Sequence, residues 1–152
     1  MVKLIMGLKG AGKTKQLVQD INEAVKNETG SMVCIELGTK LRYDVDSRVR
    51  LIEYQEYMMG DLPSFKGFIS GLCAGNFDIT HIFIDSFYKL IHNGTPAEIE
   101  DFVVWCDRFG SGRGIDFTIL VSEDPEAAGE TLKNPNIFLP REVGRQPFPP
   151  LA

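Results

Sequence analysis

The sequence lacks long hydrophobic runs and an excess of basic residues. No apolar run approaches the roughly 20 residues that a membrane-spanning helix needs, and the apolar residues before Lys9 are too few for a signal-peptide core. The 152 residues carry a formal net charge of −5, whereas a domain that binds duplex nucleic acid usually presents a basic face. We therefore expect a cytoplasmic protein with no membrane span, and nucleic-acid binding is not indicated.

Cysteine is also scarce, and its spacing argues against two kinds of site. Cys34, Cys73 and Cys106 are far apart and no C-x-x-C pair occurs, a spacing that fits neither a zinc knuckle nor a disulfide framework. We interpret all three as small buried hydrophobic residues. Hydrophobic residues make up 43% and charged residues 24% of the chain, which is typical of a folded domain and not of a disordered one.

Short apolar runs alternate with helical patterns along most of the chain. We predict strands at residues 2–6, 32–37, 49–53, 79–85, 117–121 and 136–139, and helices that begin near residues 13, 63, 96 and 125. This alternation predicts an α/β fold of three layers, with a mostly parallel central sheet between helices. Because most of the eight prolines lie near the end of the chain, we expect one domain over residues 1–140 and a proline-rich tail over residues 141–152.

One glycine-rich segment indicates a phosphate-binding loop. The pattern G-x-x-x-x-G-K-[ST] is matched in full by Gly7-Leu8-Lys9-Gly10-Ala11-Gly12-Lys13-Thr14. Glycines allow backbone N–H groups to approach phosphate oxygens, and the helix that begins near Lys13 adds the positive end of its dipole. Lys13 is expected to reach the β- and γ-phosphates, and Thr14 to place its hydroxyl on Mg²⁺. With Lys15 beside them, these residues predict a site for ATP and Mg²⁺.

The glycine-rich segment, the apolar strand that ends at Asp85 and the stretch from Cys106 to Asp124 together resemble the P-loop NTPase superfamily. The resemblance is to its RecA-like, additional-strand ATPase division and to short bacterial (clostridial-type) P-loop ATP-binding proteins, and it covers residues 1–140. It implies the P-loop NTPase fold, with strand 117–121 between the strand before Gly7 and the strand that ends at Asp85.

The resemblance also implies roles for three residues outside the glycine-rich segment. Asp85 is similar to the Walker B carboxylate that holds Mg²⁺ through water. Ser86 follows it, where many P-loop ATPases carry a water-activating glutamate. The resemblance therefore points to Glu36, at the end of a neighbouring predicted strand, as the catalytic base. Ser122 has the position of a polar γ-phosphate sensor.

Three functions fit these residues. The first is a small Mg²⁺-dependent ATPase or ATP-driven switch, and ATP is expected over GTP because the sequence has no N-K-x-D. Arg42-Tyr43-Asp44 is similar to a basic segment of thymidine-kinase-like proteins, so a nucleoside-kinase-like phosphotransferase is an alternative. The third is a non-catalytic nucleotide-binding subunit of a larger assembly. A nucleotide is the expected ligand, while a protein partner or a homo-oligomer is left open.

Six further side chains carry weaker signals. His81 lies inside an apolar strand, and we interpret it as a core histidine and not as a ligand. Five arginines are candidates for phosphate or partner contacts, with none favoured over the others: Arg42, Arg48, Arg50, Arg108 and Arg113.

Overall fold

The computed structural model describes residues 1–7, 12–57, 60–85, 87 and 95–122. Its strands are β1 (Val2–Gly7), β2 (Ser31–Glu36), β3 (Val49–Glu53), β4 (Ile79–Ile84) and β5 (Asp116–Ser122). Its helices are α1 (Lys13–Asn27), α2 (Leu62–Gly75) and α3 (Pro96–Ser111), with short 3-10 turns at Lys40–Tyr43 and Tyr54–Glu56. The predicted strands and helices within these ranges are confirmed.

The five described strands form one sheet in the order β1-β5-β4-β2-β3, and every neighbouring pair is parallel. β5 therefore lies between β1 and β4, as the sequence predicts for the strand at 117–121. Since all five strands run the same way, their carboxyl ends meet at one edge of the sheet and their amino ends at the other.

The hydrophobic core consists of two layers, one on each face of the sheet. Met32, Cys34 and Phe83 pack with Leu17 and Ile21 of α1 on one face. The opposite face packs against α2 and α3, and its cluster includes Val33, Ile35, Ile82, Phe65 and Phe102. Because successive strand residues point to opposite faces, helices on both sides are needed to bury such strands. The fold is therefore a three-layer α/β/α sandwich.

Side-chain caps define where two of the helices begin. Asp61 lies one residue before α2, and its carboxylate accepts a hydrogen bond from the N–H of Ser64 at 2.7 Å. Thr95 caps α3 in the same way, and its hydroxyl oxygen accepts from the N–H of Glu98 at 3.2 Å. Each cap satisfies a backbone donor that the first helical turn leaves without a partner. The sequence predicted that α2 begins near residue 63 but did not identify Asp61 as its capping residue.

The three cysteines are buried and free, which confirms their interpretation as core residues. The helix predicted from residue 125, the strand predicted at 136–139 and the tail at 141–152 lie outside the described residues.

Candidate functional site

The candidate site is the carboxyl edge of the sheet. Gly7 at the end of β1 is the register partner of Ser122 at the end of β5, and Glu36 at the end of β2 is the partner of Glu53 at the end of β3. Asp85 follows the last residue of β4. In open parallel α/β sheets, ligands bind in the crevice outside the carboxyl ends of the strands. Three carboxyl groups therefore stand where the fold is suited to binding a ligand.

Helix α1 begins at this edge, directly after a glycine in the left-handed conformation. Gly12 has φ +80°, and the N–H of Gln16 donates to its carbonyl oxygen at 3.1 Å, which closes the first helical turn. A residue with a side chain would be strained at such a φ. The first turn contains no acidic residue, so no carboxylate of the turn itself opposes the binding of an anion at the positive end of the helix dipole.

The predicted phosphate-binding residues divide into described and undescribed positions. Lys13 opens α1 and is buried, while Thr14 and Lys15 are exposed. Gly7 ends β1, so the strand–loop–helix context expected of a phosphate-binding loop is present at both ends of the segment. The residues between these ends lie outside the described ones: Leu8, Lys9, Gly10 and Ala11.

Asp85 is held beside the end of β2 by its own backbone. Its N–H donates to the carbonyl oxygen of Ile35 at 2.9 Å, one residue beyond the register pair of Ile35 and Ile84. Asp85 and Glu36 consequently leave adjacent strands at the same level. Asp85 lies two residues after Phe83, and Glu36 lies two residues after Cys34. Because residues two apart on a strand point to the same face, both carboxyl groups are expected on the face that packs against α1.

Glu36 is a buried carboxyl group at this edge. It is 2% exposed, and neither carboxylate oxygen makes a hydrogen bond of good geometry in the structure. Burial raises its pKa, the negative charges of Asp85 and Glu53 raise it further, and the nearby N–H of Leu41 opposes the rise. A glutamate at a strand end could have been a solvated side chain, and the structure instead gives it an environment that favours proton uptake.

The same surroundings make the neighbouring cysteine unreactive. Cys34 is fully buried, and burial raises the pKa of its thiol well above the usual range, with Asp85 and Glu36 adding to the rise. A thiol held protonated in this way is a poor nucleophile, so the chemistry of this edge belongs to its carboxyl groups.

Glu53 and Tyr54 belong to this edge and were not singled out by the sequence analysis. Glu53 is partly buried beside Glu36. Tyr54 is 7% exposed, and burial together with the charge of Asp61 raises the pKa of its hydroxyl. The sequence did contain a signal for Glu53, because this glutamate ends the predicted strand Val49–Glu53. All carboxyl strand ends of a parallel sheet lie at the same edge, so a polar residue there is a candidate for the site.

The arginine candidates lie in several structural settings. Arg48 donates to the carbonyl oxygens of Val25 and Gly30 at 2.8 and 2.9 Å, which ties the end of α1 to the loop before β3. Arg113 packs over the ring of Phe109 at 4.1 Å and precedes the amino end of β5. Arg42 is exposed and lies over the ring of Tyr43 at 4.9 Å. Of these three, Arg42 alone follows the carboxyl end of a strand, in the 3-10 turn after β2.

Ser122 is placed by its backbone alone, as the last residue of β5 opposite Gly7. This position agrees with the strand end that the sequence predicts for a phosphate sensor. Ser86 lies outside the described residues.

A cavity of about 700 Å³ lies at the other, amino edge of the sheet, between the ends of α2 and α3. Its walls include Cys73, Phe77, Trp105 and Phe109. Arg113, one of the five arginine candidates, also lines it, but none of the residues predicted to bind ATP or Mg²⁺ does, so size alone does not select the candidate site. The carboxyl edge is selected by its converging charged groups and by the start of α1.

No protein-family profile and no curated protein matches the chain. None of the helices in the described part of the chain is long and apolar enough to cross a membrane.

Proposed function

We propose that this protein is a P-loop NTPase that binds ATP with Mg²⁺ at the carboxyl edge of its sheet and hydrolyses it. The main supporting observation is the start of α1, where a left-handed Gly12 leads into buried Lys13 and exposed Thr14 at the same edge of the sheet as Asp85. A helix that opens on a glycine turn, with no acidic residue in its first turn, favours an anionic ligand such as a triphosphate.

The side chains at this edge fit the cation as well as the nucleotide. The hydroxyl of Thr14 and the carboxylate of Asp85 are oxygen ligands, which Mg²⁺ prefers. When bound with ATP, Mg²⁺ neutralises charge on the phosphates. In this assignment Lys13 binds the β- and γ-phosphates, and Lys15 adds positive charge at the same helix end. The proposed setting is the cytoplasm, where ATP and Mg²⁺ are abundant.

Glu36 is the proposed general base. Its pKa is raised above the usual value by burial and by two neighbouring carboxylates, which makes it a stronger proton acceptor than an ordinary glutamate, and a base is most effective when its pKa lies close to the working pH. Glu36 accepts one proton from the attacking water while the water oxygen bonds to the γ-phosphorus and the bond to the ADP oxygen breaks. Asp85, whose charge contributes to the raised pKa of Glu36, orients the cation.

Titration calorimetry with Mg²⁺-ATP on the full chain tests nucleotide binding. We expect Lys13→Ala to weaken ATP binding about 10- to 100-fold, because charge-assisted hydrogen bonds contribute about 1.5–3 kcal/mol each. Lys26→Ala is the matched control, since Lys26 is an exposed lysine in the last turn of the same helix. Equal affinity of Lys13→Ala and the native chain would overturn the assignment.

Product analysis then separates the three functions. Phosphate release that is lost in Glu36→Gln supports hydrolysis, whereas a phosphorylated product from a panel of nucleosides supports a kinase. Binding without turnover supports a nucleotide-binding subunit that a partner completes. The last two outcomes would each replace ATP hydrolysis as the assigned activity.

A further inference from the structure

The amino edge of the sheet brings one histidine and two carboxylates together. Glu28 follows α1, His81 lies on β4 and Asp116 opens β5. One ligand atom of each side chain lies within 4.8 Å of those of the other two. His81 and Asp116 are register partners on adjacent strands, so their side chains leave the sheet side by side. We propose that these three residues bind one divalent transition-metal ion, represented by Zn²⁺.

The ring of His81 is already oriented as a ligand requires. Its Nε2 lies 2.9 Å from the hydroxyl oxygen of Thr118, and the ring stacks on Phe83 with centroids 4.0 Å apart. Histidines that bind metals usually donate their second ring N–H to a neighbouring acceptor, which fixes the tautomer. Donation from Nε2 to Thr118 leaves the lone pair of Nδ1 directed towards Glu28.

The distance between the first two ligand atoms suits a shared ion. Nδ1 of His81 lies 3.0 Å from Oε2 of Glu28. With bonds of about 2.1 Å to each atom, this separation corresponds to an angle of about 90° at the metal, as between adjacent octahedral ligands, and a tetrahedral Zn²⁺ needs the two atoms to move apart by only about 0.4 Å. Both atoms can direct a lone pair to the same ion, so binding needs no further reactant.

The donor set selects the class of ion. One imidazole and two carboxylates suit borderline ions such as Zn²⁺, Co²⁺ or Ni²⁺, whereas Mg²⁺ and Ca²⁺ prefer oxygen ligands alone and Cu⁺ prefers sulfur. The two carboxylates also bring negative charge that a dication neutralises. The amino group of Met1 pairs with Oδ1 of Asp116 at 3.0 Å, which leaves Oδ2 as the further donor of that carboxylate.

This site is separate from the proposed nucleotide site. Asp85 lies four residues after His81, directly beyond the end of β4, which corresponds to about 13 Å along an extended chain. A metal at the amino edge would join the end of α1 to β4 and β5. We therefore assign it a structural role, in which a bound ion stabilises the folded chain by mass action.

Titration of the full, chelator-treated chain with Zn²⁺ in excess Mg²⁺ and without nucleotide tests this site. We expect one equivalent of Zn²⁺ to bind and the thermal midpoint to rise. His81→Gln and Glu28→Gln should each weaken binding by at least about 10-fold, the smallest effect usual for groups that support a metal site. His92→Gln is the matched control, because the chain has two histidines.

A third variant guards against loss of folding. The side chain of Asp116 is 44% exposed, so Asp116→Asn should fold normally by circular dichroism and still weaken Zn²⁺ binding, while Asp101→Asn on the surface of α3 should not. Absence of stoichiometric binding, or equal affinity in folded His81→Gln or Asp116→Asn, would leave only a His81–Glu28 ion pair. A thiolate-to-cobalt charge-transfer band with Co²⁺ would also overturn the assignment, because it would show cysteine ligation. None of these readouts depends on ATP.

Discussion

The two edges of the sheet treat their polar side chains differently. At the amino edge, His81 pairs with Glu28 and Thr118, and the Arg48 guanidinium donates to two carbonyl oxygens. At the carboxyl edge, Glu36 is buried next to two further carboxyl groups, and among the described residues neither of its oxygens has a hydrogen bond of good geometry. Leaving a buried polar group unsatisfied costs about 1–3 kcal/mol. The comparison separates a histidine with two polar partners at the amino edge from a buried, poorly satisfied carboxyl group at the carboxyl edge, although buried polar atoms without a partner among the described residues also occur towards the amino edge, on Thr80 and Asp107.

Asp107 on α3 shows that burial alone does not mark a functional carboxyl. It is fully buried, and neither carboxylate oxygen has a hydrogen-bond partner within the described part of the chain. Burial raises its pKa, and the charge of the Met1 amino group opposes the rise. Glu36 differs in its neighbours, because other carboxylates raise its pKa and α1 begins at the same edge. The neighbours of each carboxyl group therefore distinguish Glu36 from Asp107. Substitutions at the two positions can test whether they also differ in function.

The largest expected effect is on catalysis at the carboxyl edge. Glu36→Gln should lower kcat for ATP hydrolysis by about 100-fold or more, because general-base catalysis contributes typically 10²- to 10⁴-fold. The same change should raise the free energy of unfolding at neutral pH, since it removes a buried ionisable group. Steady-state kinetics and urea unfolding measure the two quantities. Asp107→Asn is the control, and it should be more stable with unchanged kcat; a fall in its kcat would erase the difference between the two acids.

The sequence predicted most of this fold because its patterns are local. Apolar runs, helical spacing and the cap at Thr95 need only neighbouring residues to be recognised. The place of β5 between β1 and β4 was not encoded locally, and it came from the resemblance to P-loop proteins. The cap at Asp61 was missed because the proline two residues later gave the stronger signal.

The candidate site was less predictable because it is assembled from distant strands. Gly12, Lys13 and Thr14 are recognisable from their spacing alone. The burial of Glu36 and its closeness to Glu53 depend on the order of β4, β2 and β3, which no short pattern contains. The cluster of Glu28, His81 and Asp116 joins three elements in the same way, so sequence spacing gave His81 only a core role.

The next expected effect compares two glycines with the same conformation at opposite edges. Gly12 has φ +80° and Gly114, before β5, has φ +68°, and a Cβ at either would meet no atom within 4 Å. Substitution by alanine should therefore cost about 1–2 kcal/mol of stability at each position, from backbone strain alone. Calorimetric titration with Mg²⁺-ATP should show weaker binding in Gly12→Ala and native affinity in Gly114→Ala. Equal losses of affinity would show that the effect is global.

A smaller effect concerns the pH dependence of stability. The folded-state pKa of Asp107 is raised above its unfolded value, so its contribution is fully present below the unfolded pKa and is lost as pH rises through the folded pKa. Asp107→Asn should match the native chain near pH 3 and exceed it by about 1 kcal/mol at pH 7, the lower end of the cost of an unsatisfied buried group. Urea unfolding across this range measures the difference. A native chain that is more stable than Asp107→Asn at pH 7 would reveal a partner for the carboxylate.

The smallest expected effect lies inside the carboxyl-edge cluster. Glu53 raises the pKa of Glu36, but less than burial or Asp85 does. Glu53→Gln should therefore lower the pKa of Glu36 slightly, because it removes one nearby negative charge while leaving Glu36 buried. The acid limb of the pH profile for ATP hydrolysis should shift to lower pH, and a ¹³C NMR titration of the Glu36 carboxyl should shift in the same direction. Glu56→Gln, at an exposed glutamate three residues further on, should leave both unchanged. An unchanged or higher Glu36 pKa in Glu53→Gln would mean that the two carboxyl groups are not electrostatically coupled, and the cluster would then reduce to Glu36 and Asp85.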